Sequence, residues 1–148
     1  MGAYLDALKM LARRELSEAQ VRQRLARRGH PSDDIEDAIA RLREERAIDD
    51  TRVAESIART QTALKKRGKL RVRRQIESAG IAGATAKRAV DDVCSSIDDA
   101  ALLEASLLKR LHGRERIADD REFQRLYRYL IGQGFDPDQV LGILRKRS

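Results

Sequence analysis

Three glycines, Gly29, Gly80 and Gly134, recur at spacings of 51 and 54 residues, and their surroundings recur with them. Leu25, Ile76 and Leu130 stand four positions before them, Val21, Val72 and Leu126 eight before, and Ile39, Val90 and Leu144 ten after. Self-similarity at this period marks a chain built by stacking one supersecondary unit. The unit therefore decides the fold.

Within each unit the apolar residues keep a helical period. Aromatics make up only 3% of the chain, and there are two prolines and no tryptophan. Ala, Leu, Arg, Glu and Gln, all strong helix formers, run throughout. The fold class that follows is all-α: three tandem three-helix repeats forming an elongated, curved array, with units at 1–49, 50–97 and 98–148.

In the first unit, Tyr4, Leu5, Leu8, Leu11 and Ala12 are expected to share the inner face of the first helix. Ser17-Glu18-Ala19-Gln20 is a capping box that opens the second helix. Gly29 closes that helix, because a left-handed residue there costs a glycine least. The contact that goes with such a stop pairs His30 with Leu25, Ile81 with Ile76 and Phe135 with Leu130, which makes His30 a capping and packing residue. The aspartate pairs Asp49-Asp50, Asp98-Asp99 and Asp119-Asp120 each stand where a helix needs an N-cap, and Asp136-Pro137 opens the last helix in the same way. In the second unit Val53, Ile57 and Leu64 are expected to face inward, and in the third Leu102, Ala105, Leu108 and Leu111.

The net charge of +7 is unevenly distributed. Residues 1–49 hold 10 basic and 10 acidic side chains, residues 50–97 hold 11 and 5, and residues 98–148 hold 10 and 9. The excess thus belongs to the middle unit, and a localised basic surface calls for an anionic partner. Its centre is the run from Lys65 to Arg74, with seven basic residues in ten and no acid. With Val72 and Ile76 inward, Arg71 and Arg74 are expected to point outward one turn apart, with Arg73 on a flank. Lys65, Lys66, Arg67 and Lys69 cluster around the Gly68 turn. Such a ridge suits phosphates, so these seven residues are the candidate DNA- or filament-binding set.

Arg24, Arg27 and Arg28 are secondary candidates, although the acids Glu15 and Glu18 are close enough for ordinary salt bridges. Tyr129 is another, because Tyr127 and Tyr129 point different ways on one helix and at least one should be exposed. No aromatic occurs between residues 5 and 122, so the basic middle has no ring on which to stack bases.

No enzyme is expected. His30 and His112 are far apart in sequence, no Cys/His cluster has metal-ligand spacing, and there is no phosphate-cradling glycine loop. No cofactor and no metal are expected. The single cysteine, Cys94, reads as a packed thiol in a reducing compartment. With no apolar run of membrane-spanning length and no signal-like core at the start, a cytoplasmic monomer is expected.

Several segments resemble one known family. They are Leu8 to Ser17, Leu25 to Gly29, Ile48 to Ala54, Gly68 with Val72 to Ile76, Gly80-Ile81, Leu130 to Phe135 and Val140 to Leu144. In order and spacing, over almost the whole chain, they resemble the RecX regulatory proteins. The chain departs from that pattern at Lys69, where the family often has proline, and at Val53, where an aromatic is common. The resemblance implies three three-helix modules. It also implies a modulator, usually an inhibitor, of the RecA recombinase, one that lies in the groove of the RecA–single-stranded-DNA filament and disturbs ATP hydrolysis, strand exchange and filament growth. The partners so implied are the RecA filament, single-stranded DNA and also duplex DNA. The competing reading from the residues alone is an autonomous helix-turn-helix DNA-binding module, probably dimeric on two half-sites.

Overall fold

The structure, a computed structural model, describes residues 2–95 and 97–148. Its helices are α1 (Gly2–Arg13), α2 (Glu18–Arg27), α3 (Ser32–Glu44), α4 (Asp50–Arg59), α5 (Lys69–Ser78), α6 (Gly83–Cys94), α7 (Asp99–Leu111), α8 (Asp120–Gly132) and α9 (Pro137–Lys146). A π-helical turn, Thr60–Leu64, continues α4. Among the described residues there is no strand, and no helix is long and apolar enough to cross a membrane.

The caps follow the sequence closely. Ser17 Oγ accepts from the Gln20 amide at 3.1 Å, and Gln20 Oε1 accepts from the Ser17 amide at 2.9 Å, closing the box. Asp49, Asp98, Asp119 and Asp136 each accept from amides in the first turn of α4, α7, α8 and α9. His30 packs as a capping residue, with its Nε2 2.6 Å from Asp6 Oδ2 on α1.

Each group of three helices encloses its own apolar cluster. Ala7, Val21, Leu25 and Leu42 centre the first, Ala58, Val72, Ile76 and Ala86 the second, and Leu107, Leu130, Val140 and Leu144 the third. Burying a side chain of this kind contributes about 1.5–3 kcal/mol, so each cluster is a substantial core.

Three of the expected inner faces are corrected. On α1 the buried residues are Ala3, Ala7 and Met10, while Leu5 is 51% exposed and Ala12 faces solvent; the alanines let α1 lie close against α3. On α7 the buried residues are Leu103, Leu107 and Leu111, and Leu108 is exposed. Steps of three residues drift by about 60° each at roughly 100° per residue, so Leu102, Ala105, Leu108 and Leu111 spread over half the helix. Steps of four drift less and keep the leucines on one seam. The third correction is Leu64, which is 77% exposed. The π turn shifts the phase of α4, shown by the Lys65 amide donating to Thr60 O at 3.2 Å, and carries Thr62 inward instead. Thr62 Oγ1 lies 3.8 Å from the buried Cys94 Sγ.

The second helices of the three groups, α8, α5 and α2, meet end to end. Gly134, just past α8, and Gly80, just past α5, adopt left-handed φ values of 97° and 82°. Each receives the N-terminus of the next helix. Gly68 N–H donates to Gln133 O at 2.7 Å, and Leu70 N–H donates to Gly134 O at 3.1 Å. These carbonyls cap α5, whose own N-cap, Gly68, offers no side chain. At the other junction Ser17 Oγ donates to Ala79 O, and the Glu18 amide donates to Asp50 Oδ1 at 2.9 Å. Arg52 adds a bond to Glu15 Oε1 at 2.6 Å.

A Cβ at Gly134 would lie 2.3 Å from Arg71 Cβ and 2.4 Å from Arg71 N, whereas a Cβ at Gly29 would meet nothing within 4 Å. Both positions carry a left-handed backbone, worth about 1–2 kcal/mol for an alanine. Gly134→Ala therefore adds a backbone clash that Gly29→Ala lacks. In urea denaturation Gly29→Ala should lose about 1 kcal/mol, and Gly134→Ala at least twice as much. Equal losses would show that the α8–α5 junction contributes nothing.

Candidate nucleic-acid interface

The basic run begins on the π turn and ends midway along α5. Lys65 caps the turn, and Lys66 holds a left-handed φ of 57°, which turns the chain sharply and leaves both lysines exposed. Gly68 then starts α5 against Gly134, where a Cβ would lie 2.4 Å from the Gly134 carbonyl carbon. The run is therefore threaded through the junction between the middle and last helix groups.

This threading divides its seven cations. Arg67 turns inward: its guanidinium donates to Gln133 Oε1, and its buried Nε has no partner. Arg71 donates to Gly132 O at 3.1 Å and is half-buried, which corrects the expectation that it points outward beside Arg74. Lys69 Nζ lies 3.1 Å from Asp99 Oδ2, and the carboxylate raises the pKa of the ammonium. Lys69 occupies the first position of α5, where the family's proline would suit a helix start; here the side chain ties α5 to α7 instead. Arg73 pairs with Glu77 one turn on, at 2.9 Å. Lys65, Lys66 and Arg74 are exposed and, among the described residues, have no carboxylate at ion-pair distance. Tertiary structure thus supplies the acids that the run itself lacks.

Of the secondary candidates, Arg28 lies 3.4 Å from Asp6 Oδ1, Arg27 is exposed, and Arg24 is half-buried. Neighbouring arginines are consumed by pairing. Arg22 bridges Glu18 at 3.1 Å and Glu36 at 2.7 Å, and Arg43 also donates to Glu18. Neither Tyr127 nor Tyr129 is fully exposed, contrary to expectation, because Arg110 lies 3.7 Å above the Tyr129 ring.

Sequence reasoning passed over a second group of cations, in the last three helices. Arg110, His112, Arg114 and Arg125 converge with Tyr129 on one concavity between the end of α7 and α8. No local run announces them, because four acids are interspersed along 115–122. Glu122 is the acid within the cluster. It accepts from Arg114 at 2.9 and 2.6 Å and from the Ala118 amide at 2.9 Å.

With this geometry established, comparison with known proteins places the chain. A family model described as RecX, first three-helix domain, matches residues 3–42. A regulatory protein RecX from Syntrophotalea carbinolica is 33% identical over 134 residues, 90% of this chain and 88% of that protein. The chain belongs to the RecX family. A second relative, regulatory protein RecX of Chromohalobacter salexigens, is 33% identical over 91% of this chain and 86% of its own length. The crystal structure of RecX from Lactobacillus salivarius has the same fold, with a TM-score of 0.76 at 20% identity, covering 98% of this chain and 94% of that one. The RecX relatives are named as regulatory proteins, and this chain carries a RecX regulatory role.

The Glu122 cluster makes a pH prediction. Hydrogen bonds from Arg114 and then from the Ala118 amide hold the Glu122 carboxyl down at about 2, from an ordinary value of 4.5. A carboxyl lowered on folding stabilises the fold fully above its unfolded pKa, and the contribution is lost as pH falls through the folded value. The melting-temperature difference between wild type and Glu122→Gln should therefore be largest above pH 4.5 and shrink towards pH 2. A constant difference across that range would rule out the ionised carboxylate as its source.

Proposed function

We propose that this chain regulates the RecA recombinase by lying along the RecA–single-stranded-DNA filament and slowing its ATP hydrolysis, strand exchange and growth. Membership of the RecX family supports this reading, and the end-to-end helix column supplies a body able to follow a groove. The observation that carries the nucleic-acid part is the triad of Lys65, Lys66 and Arg74, exposed and unpaired beside a structurally committed set of cations. Three unscreened positive charges next to a fixed junction favour phosphates in a defined register. Arg67, Lys69, Arg71 and Arg73 hold the presenting helix, and they strengthen the local potential even while paired.

Substoichiometric protein should slow the DNA-dependent ATPase of RecA. Full ATPase activity with the protein shown to be bound would refute the regulatory reading. A sequence-selective duplex footprint would favour the helix-turn-helix alternative. The triple variant Lys65→Gln/Lys66→Gln/Arg74→Gln should retain the melting temperature of wild type. It should weaken single-strand binding and flatten the salt slope by about 2, at roughly 0.7 per phosphate contact. An unchanged slope would remove these three residues from the phosphate-contacting set.

A further inference from the structure

The concavity between α7 and α8 has the composition of a nucleotide site. Its volume is about 430 Å³, within the range of small-ligand pockets. Its floor is the Tyr129 ring, and the Arg110 guanidinium covers one face of that ring at 3.7 Å. An arginine plane held flat on an aromatic ring is a platform for a further planar group, and an unstacked base is such a group.

The charges around the platform are unequal in availability. Arg114 is engaged by Glu122 through both guanidinium nitrogens, at 2.9 and 2.6 Å, and Glu122 is further saturated by the Ala118 amide. Arg125 touches the same carboxylate only at 3.9 Å, beyond hydrogen-bonding distance. Arg110 has no carboxylate at ion-pair distance among the described residues, and its only recorded partner is the ring. His112 is exposed at the end of α7, held at a left-handed φ of 52° with Gly113 following at 87°. Two consecutive left-handed residues wrap the chain around the rim of the pocket. That conformation is unfavourable for a histidine, and it brings the imidazole to the same opening as Arg110 and Arg125. The one acid in the pocket is thus neutralised, and two guanidiniums and an imidazole remain to meet an anion.

We infer that this pocket binds one nucleotide of a single nucleic-acid strand, its base stacked on the Arg110–Tyr129 pair and its phosphate held by Arg125 and His112. A peptide carboxylate would use the charge but leave the flat platform empty, whereas a nucleotide uses both. The site lies in the last three helices, on different elements from Lys65, Lys66 and Arg74, so it does not depend on the role of those residues.

The test uses the full chain with a fluorescein-labelled oligo-dT, followed by anisotropy across a salt series. Arg110→Gln/Arg125→Gln should weaken binding about tenfold and flatten the salt slope by about 1.4, at roughly 0.7 for each lost contact. A strand carrying an adenine analogue whose fluorescence is quenched on stacking reads the platform separately. Quenching should persist in Tyr129→Phe and in Arg125→Gln, and be lost in Arg110→Lys, which keeps the charge without the plane. Wild-type-like affinity and slope in the folded double variant would overturn the site, as would quenching that survives Arg110→Lys, or no strand binding by wild type. Displacement of the quenched signal by deoxyadenosine monophosphate, with the double variant binding strands normally, would assign the pocket to a free nucleotide and overturn the strand contact. Failure of the RecA reading would appear separately, as an unaffected RecA ATPase with strand binding intact.

Discussion

The arrangement of this protein depends on one repeated contact, in which the C-terminus of a helix in one group caps the N-terminus of a helix in the group before it. The first amides of a helix and its last carbonyls lack partners within the helix. Here each set serves the other. Gln133 and Gly134 carbonyls take the Gly68 and Leu70 amides, and Ala79 O takes the Ser17 hydroxyl. The α8, α5 and α2 dipoles run head to tail, so the negative end of one meets the positive end of the next. The approach is close enough that a Cβ on Gly68, Gly80 or Gly134 would come within about 2.5 Å of a neighbouring group. Three small cores that share few apolar contacts are thereby held in register by backbone hydrogen bonds.

That contact also allocates the charges. The densest basic segment crosses the junction, so Arg67, Lys69 and Arg71 are drawn to Gln133, Asp99 and Gly132. A cation engaged in this way still contributes to the local potential, but it is oriented by the protein and not by a ligand. Lys65, Lys66 and Arg74 escape because the left-handed turn at Lys66 and the outer face of α5 hold them away from the junction. In the last three helices the same logic runs in reverse. The pairing of Arg114 with Glu122 removes the one acid from a pocket and leaves Arg110, His112 and Arg125 available.

Much of the architecture was legible in the residues. The capping box at Ser17, the aspartate caps at 49, 98, 119 and 136 and the glycine stops all act over three or four positions, and local chemistry decides them. The inner faces were less legible. In α7 the doubled leucines 102–103 and 107–108 offer two seams, and only the partners α8 and α9 choose between them. In α1 small alanines outrank larger Tyr4 and Leu5, because closeness to α3 matters more there than side-chain size. The exposure of Leu64 follows from a π turn, which no residue pattern in that segment signals.

The sequence by itself determined that the chain is helical, that it repeats one three-helix unit, where most helices begin and end, and that positive charge concentrates in the middle. These are properties of neighbouring residues, set by propensity, capping and composition. Only the tertiary structure decided why the glycines at 80 and 134 differ from the one at 29. The backbone conformation is common to all three, but a helix N-terminus packs against the first two and nothing packs against the third. It likewise decided which cations remain free, because the acids and carbonyls that claim the others come from helices up to 66 residues away. Contacts at that separation depend on how the units stack, and stacking is a property of assembled surfaces that a linear pattern does not encode.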